Sequence, residues 1–460
     1  MISKTNSAQS KFGLILPKHN GWATSATDDQ VLVIKKGIWV YFLLLIFEGA
    51  LRKWFLPGLA TPLLIIRDPV ALWILFISWK QRLLPLNPYV LILQLISIVG
   101  TYTAVFLGHG NIWVALFGAR IFLIHFPLIF VIGQIFNRDD VVKMGRMILL
   151  ISVFMTFLIA LQYYSPQSAW INRGVAGDIN GAGFSGVSGF YRPPGTFSFT
   201  IGTTLFYDLV GCLVLYFWFH QKEINSLILI ISTISFIAAV PLTLSRGLSL
   251  QVGLSFLFSI AAILRKPQYI LRMIIAITGA VVVIFLLSKT TFFETSTANL
   301  TNRFAIASNQ EGGLGNILEN RFLGGLIESL KQSLNLPFFG YGLGMGTNAG
   351  GFMLTGTHDF LISELEWGRI IGELGPIVGL IVIFLRLLLG ANILMACYRK
   401  MTQGDFLPWM LLSFGLLLVT QGSWGQATSL GFSVFVSGLM IASLNDTNNN
   451  TGQSLKTTSK

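Results

Sequence analysis

Basic residues stand at the ends of several long apolar segments in this 460-residue chain. Arg246 lies in a short turn between two such segments, Arg192 shortly precedes another, and Arg321 lies in a long connection. The pair Arg52 and Lys53 follows the first apolar segment. Guanidinium groups donate paired hydrogen bonds to phosphate oxygens, so these positions suit a ligand that carries phosphate. The alternative for each residue is that it caps a helix end or extends out of the apolar segment toward water.

A candidate general base lies near the C-terminal end of the same long connection. His358 is followed by Glu364 and Glu366, just before the next apolar segment. A histidine titrates near neutral pH and can accept the proton of a hydroxyl group, and either glutamate could do so instead. A lone histidine is also common as a structural residue, so these alternatives stay open. No cluster of acidic residues suits a metal ion here, and we predict neither a metal nor a cofactor.

The composition excludes most classes of soluble protein. Hydrophobic residues make up 53% of the chain and charged residues only 11%, and the mean hydropathy is +0.70. A soluble domain usually has about 25% charged residues, so lipid must surround much of this surface. The formal net charge is +12, but the basic residues form short clusters between apolar segments, which argues against nucleic acid as a partner. Cys212 and Cys397 lie in apolar runs, which excludes a disulfide framework.

Apolar segments of the length needed to cross a bilayer recur along the chain. Since a spanning helix needs about 20 residues, the sequence predicts an all-α, polytopic bundle of about twelve transmembrane helices. The predicted spans are 34–51, 60–79, 86–107, 112–136, 144–163, 196–219, 225–243, 247–264, 270–288, 365–396, 406–422 and 426–444. They form one domain, 31–444, between polar tails at 1–30 and 445–460.

Charge in the connections predicts how the bundle is oriented. We expect the protein to lie in the plasma membrane. The connection after each even-numbered span is basic, which places these connections and both termini in the cytoplasm. The outer connections then include two long ones, 164–195 and 289–364. The arginines and the lysine described above fall on the outer side, as does Arg303. Cations are disfavoured there, and a polyanionic ligand at the outer surface would account for them.

The larger outer connection contains an amphipathic stretch. Apolar residues recur at every fourth position, with charged residues on the opposite face. This pattern predicts a helix that lies on the membrane face or over a cavity. The apolar residues are Leu314, Leu318, Phe322, Leu326 and Leu330. Ionisable residues also fall within the predicted spans and must find partners inside the bundle because they are costly in lipid. These are Glu48, Arg67, Asp68, Arg120, His125, Asp208 and Arg386.

Four motifs, in this order and topology, resemble those of the bacterial O-antigen polymerase and O-antigen ligase superfamily. They are the segments 192–197 (RPPGTF), 244–247 (LSRG), 320–321 (NR) and 337–344 (PFFGYGLG), followed by His358 and then by Gly368 and Gly372. The resemblance extends over roughly residues 90–440. It implies a membrane glycosyltransferase that uses a glycan linked to a lipid diphosphate, with membrane lipids around it.

The resemblance also implies roles for single residues. Arg246 and Arg321 would hold the donor's diphosphate, with help from Lys53 or Arg52, and Arg192 corresponds to an arginine of less defined role. His358 would be the base toward the acceptor hydroxyl group. Phe360 replaces the polar residue that ligases usually have two positions after the histidine, which keeps Glu364 and Glu366 as alternative bases.

Three functions follow as expectations. The first is a polymerase that joins repeat units of an oligosaccharide linked to polyprenyl diphosphate, alongside a chain-length regulator and other polysaccharide-export proteins. The second is a ligase that moves a finished glycan to a lipid or protein acceptor. The third is a transporter of lipid or polysaccharide that performs no chemistry. A fixed positive charge can stabilise a diphosphate leaving group, so we expect a transfer that is independent of metal and inverts the anomeric carbon.

Overall fold

The computed structural model describes residues 28–85, 87–311, 336–357 and 360–445, which are mostly helical. The first helices are α1 (Asp28–Ala50), α2 (Ala60–Leu63), α3 (Arg67–Lys80), α4 (Pro88–Phe106), α5 (Ile112–Arg120), α6 (Phe126–Ile135) and α7 (Arg138–Tyr164). The π-helical turns Leu51–Phe55 and Ile121–His125 extend α1 and join α5 to α6. A two-stranded antiparallel hairpin, β1 (Phe184–Val187) and β2 (Phe190–Arg192), follows α7.

The second half of the chain is helical in the same way. Its helices are α8 (Thr200–Phe219), α9 (Ser226–Leu242), α10 (Arg246–Arg265), α11 (Ile270–Leu287), α12 (Thr291–Glu311), α13 (Asn348–Thr355), α14 (Glu366–Leu374), α15 (Pro376–Gln403), α16 (Leu407–Gln421) and α17 (Ala427–Ser443). Short 3-10 turns connect some of them, at Pro57–Leu59, Trp170–Asn172, Val175–Gly177, Gln221–Glu223 and Pro267–Tyr269.

Nine helices of the described ranges are long and apolar enough to cross a membrane. They are Asp28–Phe55, Pro57–Lys80, Pro88–Phe106, Ile112–Ile135, Arg138–Tyr164, Thr200–Phe219, Arg246–Arg265, Pro267–Leu287 and Pro376–Gln403. Three further apolar helices, α9, α16 and α17, are shorter, with 17, 15 and 17 residues. The chain is therefore predominantly helical, as predicted, and its long apolar helices indicate a membrane protein. The count of twelve spans and their orientation stay predictions.

One predicted span begins at the wrong residue. The segment 365–396 was expected to be a single helix, but the chain breaks at Gly375, between α14 and α15. Gly375 has φ +80° and ψ 168°, a conformation that only glycine adopts readily. The span helix therefore begins at Pro376, and the residues before it form a separate buried helix.

The two long connections contain structure that the sequence did not predict. The segment 164–195 holds the β hairpin, so the fold is helical with one small β element. The segment 289–364 includes α12 and α13. The amphipathic stretch from Leu314 to Leu330 lies outside the described residues.

Side-chain caps determine where several helices begin. Asn137 accepts a hydrogen bond from the backbone N–H of Asp140, whose carboxylate accepts one from the N–H of Asn137 in return. Asn87 caps α4, and Ser245 caps α10 in the same way with a single bond. Such caps satisfy backbone donors that the first turn of a helix leaves without a partner.

The helix α8 lies at the centre of the bundle. It packs against α7, α9, α10, α11, α16 and α17. In the most apolar 18-residue stretch of α8, 94% of the residues are buried, whereas the figure for the helix that includes α11 is 11%. The surface of α11 is therefore the one most open to lipid, and α8 is shielded from it.

Several ionisable residues inside the spans pair between helices, as their cost in lipid predicts, whereas Oδ1 of Asp208 has no hydrogen-bond partner among the described residues. Glu48 of α1 accepts from Arg67 of α3 at 3.2 Å. Asp68 accepts from Arg120 at 2.8 Å and lies 2.9 Å from Nε2 of His125. These pairs connect α1, α3 and the kinked helix that α5 and α6 form.

Candidate functional site

Two of the predicted phosphate-binding arginines are connected through a pair of hydroxyl groups. Arg192, at the end of β2, donates from Nη2 to Oγ1 of Thr204 in α8 at 3.5 Å. The Thr204 oxygen lies 3.2 Å from Oγ of Ser245, which caps α10 by accepting from the N–H of Leu248. Because α10 begins at Arg246, this chain of contacts brings Arg192 and Arg246 to one place.

A third arginine, Arg303 of α12, belongs to the same group. Burial and the positive charges of Arg303 and Arg246 lower the pKa of Arg192 to about 10. Burial and the charge of Arg246 also lower the pKa of Arg303. Burial contributes most to both pKa shifts and the neighbouring positive charges add to it, and a bound anion would relieve the repulsion between those charges. We refer to Arg192, Arg246 and Arg303 as the arginine cluster.

The turn before Arg246 is held in an unfavourable conformation. Leu244 has φ +49°, in the left-handed region that residues other than glycine rarely adopt. Its side chain is fully buried, and this burial offsets the conformational cost. The strained turn places Ser245 as the cap of α10 and so fixes the backbone position of Arg246.

Arg52 and Lys53 lie against the segment that leads from the hairpin into α8. Lys53 donates from Nζ to the carbonyl oxygen of Gly195 at 2.7 Å and is buried. Arg52 donates to Oγ of Ser198 at 3.0 Å and to Glu48 at 3.3 Å. The structure thus places both residues beside the 192–204 segment, where they support the backbone between Arg192 and Thr204.

An apolar cavity of about 370 Å³ lies between α8, α9, α10, α11 and α12. Apart from two threonines, its lining residues are glycine, alanine, proline and larger apolar residues; they include Gly211, Leu215, Trp218, Val240, Pro241, Val252, Phe256, Met273, Ile277, Ile284, Phe293, Thr297 and Leu300. Pockets of this size and polarity accept hydrocarbon ligands. Because only 11% of the most apolar stretch of the helix that includes α11 is buried, the cavity lies beside an exposed apolar surface of the bundle.

Two of the helices that line the cavity lead to the arginine cluster. Leu300 of α12 lines the cavity, and Arg303 follows three residues later on the same face of that helix. Pro241, near the C-terminal end of α9, lines it as well, and Arg246 follows after the short turn. The arginine cluster therefore lies near one end of the apolar cavity.

Glu366, one of the candidate bases, is held in a buried ion-pair network. Its carboxylate accepts from Arg369 at 2.9 Å on each oxygen and from Arg386 at 2.7 Å. Burial raises the pKa of Glu366, but the two arginines outweigh it and hold that pKa below the ordinary value. A carboxylate with a lowered pKa and with its lone pairs engaged is a weak general base. This environment favours a structural role.

The network also holds the glycine-rich segment that resembles the family motif. Glu373 accepts from Arg369 at 2.6 Å and from the N–H of Gly346 at 2.9 Å. The backbone of the segment packs directly on α14, where the N–H of Tyr341 donates to the carbonyl oxygen of Gly372 at 2.8 Å. The glycines allow close backbone packing, and no phosphate loop is needed to explain them.

The remaining predicted residues fall in different places. Glu364 is exposed, two residues before α14 begins. His358 and Arg321 lie outside the described residues. The structure thus brings together Arg192 and Arg246, places Arg52 and Lys53 against the segment between Arg192 and Thr204, and places Glu366 in the network around α14.

Three polar residues of α8 escaped the sequence-based assignment of the site. Thr200, Thr204 and Asp208 lie one helical turn apart, within an otherwise apolar segment. Their spacing of four residues puts them on one face of the helix. That periodicity is visible in the sequence, but which face turns toward the arginine cluster depends on helix packing.

The composition of the site does not identify a metal. Within the part of the chain that the structure describes, no three histidine, cysteine, aspartate or glutamate side chains are placed to hold a metal ion together.

No family model matches the chain, and no curated protein or solved structure shows significant similarity to it.

Proposed function

We propose that the protein is a membrane glycosyltransferase that polymerises oligosaccharide repeat units carried on polyprenyl diphosphate, at the outer face of the plasma membrane. The observation that carries the proposal is the arginine cluster at one end of an apolar cavity beside lipid. A lipid diphosphate has the same two parts, a hydrocarbon chain and a dianionic or trianionic head. The motif resemblance supports the same reaction.

The arginine cluster suits the chemistry of this transfer. An acceptor hydroxyl oxygen forms a bond to the anomeric carbon of the donor glycan while the bond from that carbon to the diphosphate oxygen breaks. The electron pair goes to the diphosphate, and the hydroxyl proton goes to a base. Arginines fixed beside the leaving diphosphate stabilise the charge that develops on it. Attack from the face opposite the diphosphate inverts the anomeric carbon.

The base in this proposal is His358, with Glu364 as the alternative. Glu366 is disfavoured because two arginines occupy its carboxylate. Glu364 is exposed and lies in the short segment between positions 360 and 366, which precedes α14. The network around α14 would then hold this segment in place without taking part in the chemistry.

The proposal is tested in the source cell after deletion of the gene. Deletion of a polymerase gene leaves single repeat units on the lipid. The Arg246→Ala variant should fail to restore long chains, because its rate of polymerisation should be reduced about 100-fold or more. Arg265→Ala is the matched control, because Arg265 lies at the other end of the same helix and bonds Tyr398. It should restore chain length on a gel, with both variants present in membranes in equal amounts.

Other outcomes would redirect the proposal. Long chains that accumulate without an acceptor would indicate a ligase. Intact lipid-linked units trapped on the inner face would indicate a transporter. Full restoration by Arg246→Ala would remove the cluster from the mechanism and contradict the proposed function.

A further inference from the structure

One face of α8 runs from the arginine cluster into the apolar cavity. Six residues spaced by three or four positions lie within an arc of about 80° on this helix. They are Thr200, Thr204, Asp208, Gly211, Leu215 and Trp218. Thr204 contacts Arg192, whereas Gly211, Leu215 and Trp218 line the cavity. We refer to these six residues as the α8 stripe.

Asp208 occupies the position on the stripe between the cationic end and the apolar part. It carries the one carboxyl group of α8, and only 7% of its surface is exposed. Its Oδ1 atom is buried and has no hydrogen-bond partner among the described residues. A buried polar atom without a partner is costly, so natural proteins rarely keep one unless a ligand, ion or water completes it.

Two neighbouring groups share this property. Oγ1 of Thr200, one turn beyond Thr204 on the same stripe, is buried and has no partner in the described part of the chain. The same holds for Nε of Arg192, whose Nη2 contacts Thr204. Three incomplete polar groups thus lie on the α8 stripe or on a residue that contacts it. Their chemistry, a guanidinium group, a hydroxyl group and a carboxyl group, is that of hydrogen bonding to an oxyanion.

We propose that Asp208 binds the lipid-side phosphate of a prenyl diphosphate through a hydrogen bond from its carboxyl group. The inference rests on the proposed function and adds to it the residue that recognises the phosphate attached to the chain. With the chain in the cavity and the outer phosphate at the arginine cluster, the lipid-side phosphate lies at the level of Asp208. The carboxyl group must donate through its proton there, because a carboxylate would repel the phosphate.

Direct binding separates this inference from the proposed function. The full-length protein in phosphatidylcholine nanodiscs is titrated with radiolabelled farnesyl diphosphate and, separately, farnesyl phosphate. Asp208→Leu, which removes the hydrogen bond, should weaken binding of both about 10-fold to 100-fold. Asp208→Asn keeps a neutral donor and should bind within about threefold of the unmodified protein.

Thr203→Val serves as the matched control. Thr203 belongs to the same helix, and its Oγ1 is also buried without a partner among the described residues, but it faces about 100° away from Thr204. It should bind both probes as the unmodified protein does. If Thr203→Val and Asp208→Leu weaken binding of the probes equally, the effect comes from any buried substitution in α8, and the inference is overturned.

The remaining outcomes are also decisive. If Arg246→Ala abolishes binding while Asp208→Leu binds normally, the donor site stands and the role of Asp208 is refuted. If Asp208→Leu weakens binding of farnesyl diphosphate but not of farnesyl phosphate, the assignment of Asp208 to the lipid-side phosphate is refuted. Failure of the unmodified protein to bind either probe would overturn the proposed function and this inference with it.

Discussion

At the scale of single residues, the surroundings of each arginine separate structural from functional positions. Arg67, Arg120 and Arg386 each contact a carboxylate within 3.2 Å, so their charge is neutralised inside the bundle. Burial lowers the pKa of Arg192 and of Arg303, and neighbouring arginines lower both further. Ion pairs between helices hold the bundle together, whereas arginines that lie close to one another are suited to bind an anion.

Substitution of Glu366 tests its structural role. Glu366→Gln leaves Arg369 and Arg386 buried without their shared carboxylate, and breaking such a buried pair costs about 3–5 kcal/mol. We expect a clear drop in the midpoint of thermal unfolding of the purified protein in detergent, followed by tryptophan fluorescence. Glu364→Gln, an exposed position nearby, should leave the midpoint unchanged. Equal midpoints for the two variants would contradict a structural role for Glu366.

At the scale of the elements, turns between helices fix the positions of the basic groups. The strained turn at Leu244 sets the first residue of α10, and the break at Gly375 separates α14 from α15. The break at Gly375 replaces the single helix predicted for 365–396, whereas the turn at Leu244 lies between two predicted spans. The two positions therefore decide where Arg246 and Glu366 stand.

A side chain at Gly375 should damage the packing of α14. In Gly375→Ala the added Cβ would lie 2.0 Å from the carbonyl oxygen of Phe338, and the backbone conformation itself costs about 1–3 kcal/mol without glycine. We expect a lower midpoint of thermal unfolding. Gly253→Ala in α10 is the control, because a Cβ there meets no atom within 4 Å, and it should be neutral or slightly stabilising. An unchanged Gly375→Ala protein would show that the break is not required.

At the scale of the whole molecule, the proposal depends on which side of the membrane carries the arginine cluster. The basic connections predict that the Arg246 turn faces outward and that Lys266 faces the cytoplasm. The two native cysteines, Cys212 and Cys397, are buried, so they give a low background for thiol labelling.

Cysteine labelling tests that orientation. Gly247→Cys should react with a membrane-impermeant maleimide in intact cells, whereas Lys266→Cys should react only after the membrane is permeabilised. The two positions are close to opposite ends of α10, so one helix provides both measurement and control. Labelling of Gly247→Cys only after permeabilisation would place the cluster in the cytoplasm and contradict transfer at the outer face.

Composition and hydropathy alone identified a helical membrane protein, because the requirement to bury backbone polar groups in lipid leaves few alternatives to apolar helices. Charge also marked Arg192 and Arg246 as unusual, since a cation between apolar segments is visible without a structure. The predicted span ran across Gly375 and Pro376, although this pair is a signal for a helix boundary in the sequence. The close packing of Gly375 against the carbonyl group of Phe338 accounts for the break.

Tertiary structure decided which polar residues share a site. Arg192, Arg246 and Arg303 are separated by more than fifty positions from one to the next, and only the packing of β2, α8, α10 and α12 brings them together. Helix packing also buries Asp208, and it encloses Glu366 among arginines of α14 and α15. Periodicity in a sequence shows that residues share a face of a helix, but the neighbour of that face depends on contacts between distant segments.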